Sequence, residues 1–268
     1  MATMTREMIG RRYDNGAGQG HGMAYRGWFR FHDFSSRGVT TRRNGRVVPR
    51  QYLLFSSLEV SAFLIAQRLP GVVDVREQYA LGPLEATEAL AARLGVRHPG
   101  FAGEPVMMTT DLVITRIARD GSRHDEAICV KPSAELARTR VQEKLKIERL
   151  YWEERGAAWS VVTEREMPAD LVHNLRWIDD LWHARPGLIA PELILPTVDA
   201  IRRSVRLLPG EPLCRVCLGA DAALALEPGT ALNVFRHAVA RNLLTVPLDV
   251  RLDPARPLPQ RAVAAVAV

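Results

Sequence analysis

Cysteine is scarce in this chain: its 268 residues hold three, Cys129, Cys214 and Cys217. So small and odd a number builds no disulfide framework, and the expected compartment is a reducing one, the cytoplasm. Long apolar runs are missing as well. No stretch approaches the ~18 residues of a membrane-spanning helix, and the opening MATMTREMIGRRYD lacks the apolar stretch of a signal peptide. Secretion and membrane insertion are therefore not expected. No repeat recurs at a fixed period and no heptads are present, which excludes solenoids and coiled coils. Aromatic residues make up only 6%, yet 47% of the chain is hydrophobic. That is ample for a buried core and excludes wholesale disorder. The length accommodates one large domain or two modest ones.

Acidic residues are outnumbered, 30 Asp+Glu against 36 Lys+Arg, for a formal charge of +6 and a pI near 9.6. The excess sits at the ends. Residues 1–50 carry ten arginines against three acids, and residues 201–268 nine against five. The middle is slightly acidic. The first fifty residues also hold eight of the 19 glycines, as in NGAGQGHG. An Arg- and Gly-rich arm is poorly suited to a core of its own. It suits either a phosphate backbone, where each neutralised phosphate releases counterions, or a loose solubilising terminus.

The pattern of apolar residues predicts a helix over 56–69, with Ser56 as N-cap and Glu59 three residues on, the spacing of a capping box. Strands are expected over 72–79, 105–117, 126–132 and 159–163, and helices over 85–94 and 134–155. This mixture indicates an α/β body spanning residues 1–165, arm included. Eleven of the 17 prolines then fall after residue 165. The segment 166–268 reads as a helical, winged-helix-like domain: helices over 213–226 and 231–242, then an extended pair around 244–250. The closing RAVAAVAV reads as a loose tail or a docking strand.

The residues that carry chemistry are Asp111, Lys131 and Glu59. Strands 105–117 and 126–132 form a hairpin. With a loop at 119–121 Asp111 faces Cys129, and with a loop at 120–122 it faces Lys131. Either way Asp111, Cys129 and Lys131 share one face, whereas an even loop would part them. A carboxylate on one strand and a lysine on the next is the skeleton of a metal-dependent phosphodiesterase: the acid holds Mg²⁺ against the phosphate, and the lysine is a cation beside the attacking water. An ordinary surface ion pair has the same spacing. Glu59 serves as a helix cap, as a metal ligand from the preceding helix, or as both. Glu148, on the helix over 134–155, lies with Lys144 between apolar ridges. It either needs a buried partner or pairs with Lys144 at the surface.

The ordered fragments GAGQGHG, SSLEVSAFL, VVDVREQYAL, VRHPG, VMMTTDLVI, ICVKPSAEL, EKLKIERLYWEERGAAWSVVTEREM and NLRWI resemble the TnsA family, endonuclease subunits of heteromeric bacterial transposases. The resemblance covers residues ~15–180 and is looser beyond. It implies a restriction-endonuclease-like domain of the PD-(D/E)xK type followed by a winged-helix-like domain. The implied reaction is Mg²⁺-dependent hydrolysis (Mn²⁺ as substitute) of double-stranded DNA at the 5′ ends of a transposon. The implied partners are the DDE transposase TnsB and the ATPase regulator TnsC, in the bacterial cytoplasm and on the nucleoid. By position Glu59, Asp111, Lys131 and Glu148 match the catalytic residues. Cys129 departs from the family, which has Gln, Asp or Glu there. A thiol is a poor ligand for Mg²⁺, so the expected shell is Glu59, Asp111, the backbone carbonyl of Cys129 and water. The departure keeps open the alternative of an inert DNA-binding scaffold. Cys214 and Cys217 have the spacing of half a zinc site without a second pair. His21 and His98 lie in family motifs without an assigned role. Arg236, His237 and Arg241 mark either a phosphate-binding or a solvated helix face.

Overall fold

A computed structural model of the chain describes residues 4–33, 40–182 and 188–259, and of His32 only the backbone. The closing RAVAAVAV lies outside the described residues. The chain divides into two compact units, Met1–Met167 and Pro168–Val268. Among the described residues no helix is long and apolar enough to cross a membrane.

The first unit begins with α1 (Arg6–Asp14), two short 3-10 turns, and a small hairpin of β1 (Thr41–Asn44) and β2 (Gln51–Leu54). Then come α2 (Ser57–Ala66), β3 (Val72–Ala80), α3 (Leu84–Arg93), the two-residue strands β4 (Gly100–Phe101) and β5 (Glu104–Pro105), and the long hairpin β6 (Thr109–Ile117) and β7 (Arg123–Val130). Helix α4 (Thr139–Glu153) and β8 (Ala158–Val162) complete it. The main sheet has the order β3-β6-β7-β8, with β7 and β8 parallel and the other pairs antiparallel. β-Branched residues such as Val113, Ile114, Thr115 and Ile128 favour its central hairpin. Helix α4 packs on this sheet through Ile147, Tyr151 and Trp152, which meet Val113 and Ala127.

In the first unit three readings differ most from expectation. The strand expected from 105 starts at Thr109, because Glu104 and Pro105 pair with Phe101 and Gly100 instead. The helix expected from 134 starts at Thr139. Glu164 accepts from the Ser133 N–H and hydroxyl and holds a 3-10 turn ahead of it.

The third correction concerns the N-terminal arm, which is packed. Ile9 and Trp28 are fully buried against Ala80, Leu84 and Met107. The backbone of this segment also covers the outer edge of β3. Trp28 N–H donates to Gln78 O at 3.0 Å and Ala80 N–H to Gly18 O at 3.0 Å. The arm has no core of its own, as its composition indicates. It borrows that of the body. Gly18 makes the close approach possible: it has φ +69°, and a Cβ there would lie 2.6 Å from Ala80 Cβ and 2.8 Å from Ala80 N.

Among its described residues the second unit holds four helices, α5 (Ala169–Asp179), α6 (Pro191–Leu207), α7 (Leu213–Ala223) and α8 (Thr230–Ala240). Asp221 is buried and accepts from Gly229 N–H and Ala231 N–H at 2.8 and 2.7 Å, which caps the start of α8 from the preceding helix. The extended pair expected at 244–250 is not formed. Buried Asn174 takes up this segment instead, donating to Leu248 O and Val250 O and accepting from Leu252 N–H at 2.7–2.9 Å. A segment whose backbone groups are satisfied by a side chain has no need of a partner strand.

Gly18→Ala is expected to lower stability by about 2 kcal/mol, because the added methyl overpacks a close backbone approach. Urea unfolding checks this, and an unchanged midpoint would show that the segment does not hold β3.

Candidate functional site

The site grows from the register of the β6–β7 hairpin. The ladder runs from Ile117↔Arg123 to Leu112↔Ile128. Ala118 N–H donates to Ser122 O and closes the odd loop 119–121. Asp111 therefore faces Cys129, with Lys131 two residues further along the same face. Lys131 Nζ donates to Asp111 Oδ2 at 2.8 Å and to Val130 O at 3.0 Å. The same carboxylate oxygen accepts from Val130 N–H at 2.7 Å and from the Cys129 thiol at 3.6 Å. Lys131 is itself pinned to β8, its N–H donating to Val162 O at 3.1 Å. Among the described residues no hydrogen bond to Asp111 Oδ1 is found.

Glu59 enters from the first turn of α2. Its N–H donates to Ser56 Oγ at 3.0 Å, and its carboxylate reaches back, Oε1 to the Ser56 hydroxyl and Oε2 to Phe55 N–H, both at 3.0 Å. This is a capping box, and it leaves Glu59 buried beside the hairpin rather than on the surface. Burial and then the charge of Asp111 push its carboxyl up to about 7, against the Phe55 and Ser56 hydrogen bonds. Helix cap and candidate site residue are one and the same side chain.

Glu148 does not pair with Lys144, which is exposed. It turns inward and accepts from the Thr110 hydroxyl at 2.8 Å, while Thr110 in turn accepts from Trp152 Nε1–H at 2.8 Å. Complete burial and then the charge of Asp111 push Glu148 up to about 7. Burial alone would pull the Lys131 ammonium down, but Asp111 and its neighbours outweigh that and hold it above the ordinary lysine range. Burial, Glu148 and Asp111 raise the Cys129 thiol well above its ordinary value, so it stays protonated. The hairpin thus gathers Asp111, Cys129 and Lys131, with Glu59 and Glu148 close enough for their charges to be felt. Sequence reasoning missed Thr110 and Gln78. Gln78 Nε2 donates to Glu59 Oε2 at 3.2 Å.

A separate cleft of about 570 Å³ is lined by Arg11, Arg12, Arg26, Arg30 and Arg50, with Glu77 the one acid among its described lining residues. Arg50 and Glu77 form a buried ion pair at 2.6 Å. Phe29 and Leu53 also line the cleft, and Phe29 packs edge-on against Phe55, the residue whose N–H holds Glu59.

Other candidates fall to structural roles. Among the described residues no group of three or more His, Cys, Asp or Glu is placed to hold a metal, and this includes Cys214 and Cys217 on α7. His98 bonds Thr87 Oγ1 and Pro99 O at 3.0 and 2.9 Å. In the second unit Arg236 donates to Trp177 O at 2.9 Å, and His237 is buried with Nδ1 2.7 Å from Leu181 O. Arg241 lies over the Trp182 ring. Arg236 and His237 therefore bind α5 and the turn after it rather than forming a solvated face.

Residues 69–164 match the family described as "TnsA-like endonuclease N terminal", and residues 166–248 match "TnsA endonuclease C terminal". Over 236 residues the chain is 31% identical to "Transposon Tn7 transposition protein TnsA" of Escherichia coli, covering 88% of this chain and 84% of that protein. The chain belongs to the TnsA family. It is an endonuclease subunit of DNA transposition. Asp111, Lys131 and Glu148 lie within the first TnsA match, and Glu59 lies just before it.

A Glu148 whose pKa is raised to about 7 makes this TnsA-family chain, free of metal, less stable as pH rises. The folded state binds the extra proton between the ordinary glutamate range and about 7, so stability is full below that window and falls through it. Glu148→Gln is expected to flatten this slope and to be the more stable form above neutrality. Urea unfolding in chelator at several pH values checks it, and parallel slopes for the two proteins would contradict it.

Proposed function

We propose that this TnsA-family chain is a metal-dependent DNA endonuclease of the PD-(D/E)xK type, cleaving the 5′ ends of a transposon alongside a TnsB-type transposase and a TnsC-type ATPase. The observation that carries this reading is Asp111 held against Lys131 at 2.8 Å with Glu59 buried beside them.

The donors suit a hard divalent cation such as Mg²⁺, with Mn²⁺ as substitute. Glu59 and Asp111 offer carboxylate oxygens, their charges oppose each other, and Asp111 Oδ1 is unclaimed among the described residues. The main-chain carbonyl of Cys129 and water complete the shell. The buried protonated thiol does not serve. The metal supplies a Lewis acid at the phosphate and an activated water. Lys131 stays charged, so it acts as a cation and donor, orienting water at Nζ and offsetting charge that builds on the scissile phosphate. Glu148, bonded to Thr110 next to Asp111, braces that end of β6 and carries a proton close to neutral pH.

The arginine cleft is the proposed seat of the DNA backbone. Residues 1–165 form the nuclease domain in this reading. Residues 166–268, helical and without the two wing strands at 244–250, serve protein docking. One observation favours a second reading, an inert scaffold or regulator of the transposase complex: Cys129 stands where the family carries Gln, Asp or Glu.

Two experiments test the proposal. In a reaction reconstituted with the transposase and ATPase partners, Asp111→Ala is expected to abolish Mg²⁺-dependent 5′-strand cleavage while the chain stays folded. Retained cleavage by the variant overturns the site, and no cleavage by the parent chain in Mg²⁺ or Mn²⁺ favours the scaffold. For the cleft, replacing Arg11, Arg26 and Arg30 by Gln is expected to weaken binding to a transposon-end duplex. It should also flatten the dependence of log K on log salt by about 3, roughly 0.9 for each phosphate no longer neutralised. Fluorescence anisotropy over a salt series reads this, and an unchanged slope would place the backbone elsewhere.

A further inference from the structure

Gln78 is a strand residue in the wrong conformation. It lies inside β3 with φ +50°, a left-handed backbone that a residue with a Cβ rarely adopts. The β3–β6 ladder pairs Glu77 with Leu112 and Tyr79 with Thr110, so the left-handed residue stands opposite Asp111. The residue is buried, at 4% exposure.

The distortion sends the carboxamide to Glu59. Nε2 donates to Glu59 Oε2 at 3.2 Å, and Oε1 accepts from the Thr109 hydroxyl at 3.3 Å. Glu59 fixes the orientation of the amide, because a flipped amide would set Oε1 against the acceptor Glu59 Oε2, whereas the Thr109 hydroxyl donates or accepts as needed. Glu59 Oε2 is thereby held between Phe55 N–H and Gln78, and Oε1 by Ser56. The strain is held from outside by the N-terminal segment: Trp28 N–H donates to Gln78 O at 3.0 Å, and Gly18 O accepts from Ala80 N–H two residues later. A strained, buried residue that is bonded at its carbonyl and at both ends of its carboxamide is one whose surroundings over-determine it.

We propose that Gln78 is a positioning residue for cleavage, its left-handed backbone aiming a carboxamide that fixes the Glu59 carboxylate toward Asp111 as half of a metal-binding pair. This rests on the nuclease reading above. It goes beyond that reading by assigning the aim of Glu59 to a residue on a different strand.

The test uses the full-length chain with two variants. Gln78→Met keeps the length of the side chain and removes its donor. Gln78→Asn tolerates the left-handed backbone and withdraws the amide by one methylene. The first readout is Mn²⁺ binding to the DNA-free protein by titration calorimetry. The others are thermal midpoint, duplex affinity, and end cleavage with partners over a Mg²⁺ series. Both variants are expected to bind Mn²⁺ about 10–100-fold more weakly, as is usual when a partner of a metal ligand is removed. They should need correspondingly more Mg²⁺ for half-maximal cleavage, with duplex affinity unchanged. If Gln78→Met does not fold, Gln78→Asn alone decides. Parental Mn²⁺ affinity and Mg²⁺ requirement in a folded variant overturn the proposal, even where Asp111→Ala has abolished cleavage. A metal affinity that falls only in step with the thermal midpoint also overturns it, since that is plain destabilisation. Full cleavage by Asp111→Ala would instead remove the nuclease reading on which the proposal stands.

Discussion

One ammonium serves three carboxylates. Lys131 bonds Asp111 directly, and Glu59 and Glu148 are each pushed up by burial and by the charge of that same Asp111. Two acids more than the lysine can balance, in surroundings where charge is poorly solvated, make an unfavourable arrangement in the metal-free chain. The neighbouring groups lessen the cost without removing it. Val130 N–H, Phe55 N–H, the Ser56 and Thr110 hydroxyls, the Cys129 thiol and the Gln78 amide all donate to one of the three acids. The divalent cation of the proposed function would relieve this deficit.

Cys129 acquires a definite place in that arrangement. Its thiol is one more weak donor to Asp111 Oδ2, supplementing the lysine and the Val130 amide. A carboxylate at this position would face Asp111 as a fourth acid. A thiol adds no charge, so the chain trades a possible oxygen ligand for relief of repulsion among the acids already present.

Much of this was legible in the sequence, for identifiable reasons. The turn around Asp120-Gly121 marked the hairpin, while its parity stayed open in the sequence; the 119–121 loop decides it and places Asp111, Cys129 and Lys131 on one face. The capping box at Ser56 and Glu59 depends on a local spacing that sequence carries directly. Glu148 showed itself as an acid among apolar neighbours. What stayed hidden was non-local or conformational. Gln78 sits in VVDVREQYA, where the alternation falters only by placing Arg76, Glu77 and Gln78 in a row, and nothing there announces a left-handed residue. The missing strand pair at 244–250 depends on Asn174, dozens of residues upstream, whose side chain supplies the hydrogen bonds a second strand would have given. The arm misled because its composition is that of a linker. Trp28, Ile9 and Tyr25 are few, but all are buried.

That packed arm has a consequence for how the protein is made. The segment around Gly18 and Trp28 leaves the ribosome well before the strand it seals, so it must wait unpaired until β3 emerges. If the same residues are trimmed away, β3 keeps a bare row of amide and carbonyl groups. Such a row recruits other chains, and a shortened polypeptide would exchange a sealed sheet for one that nucleates aggregates.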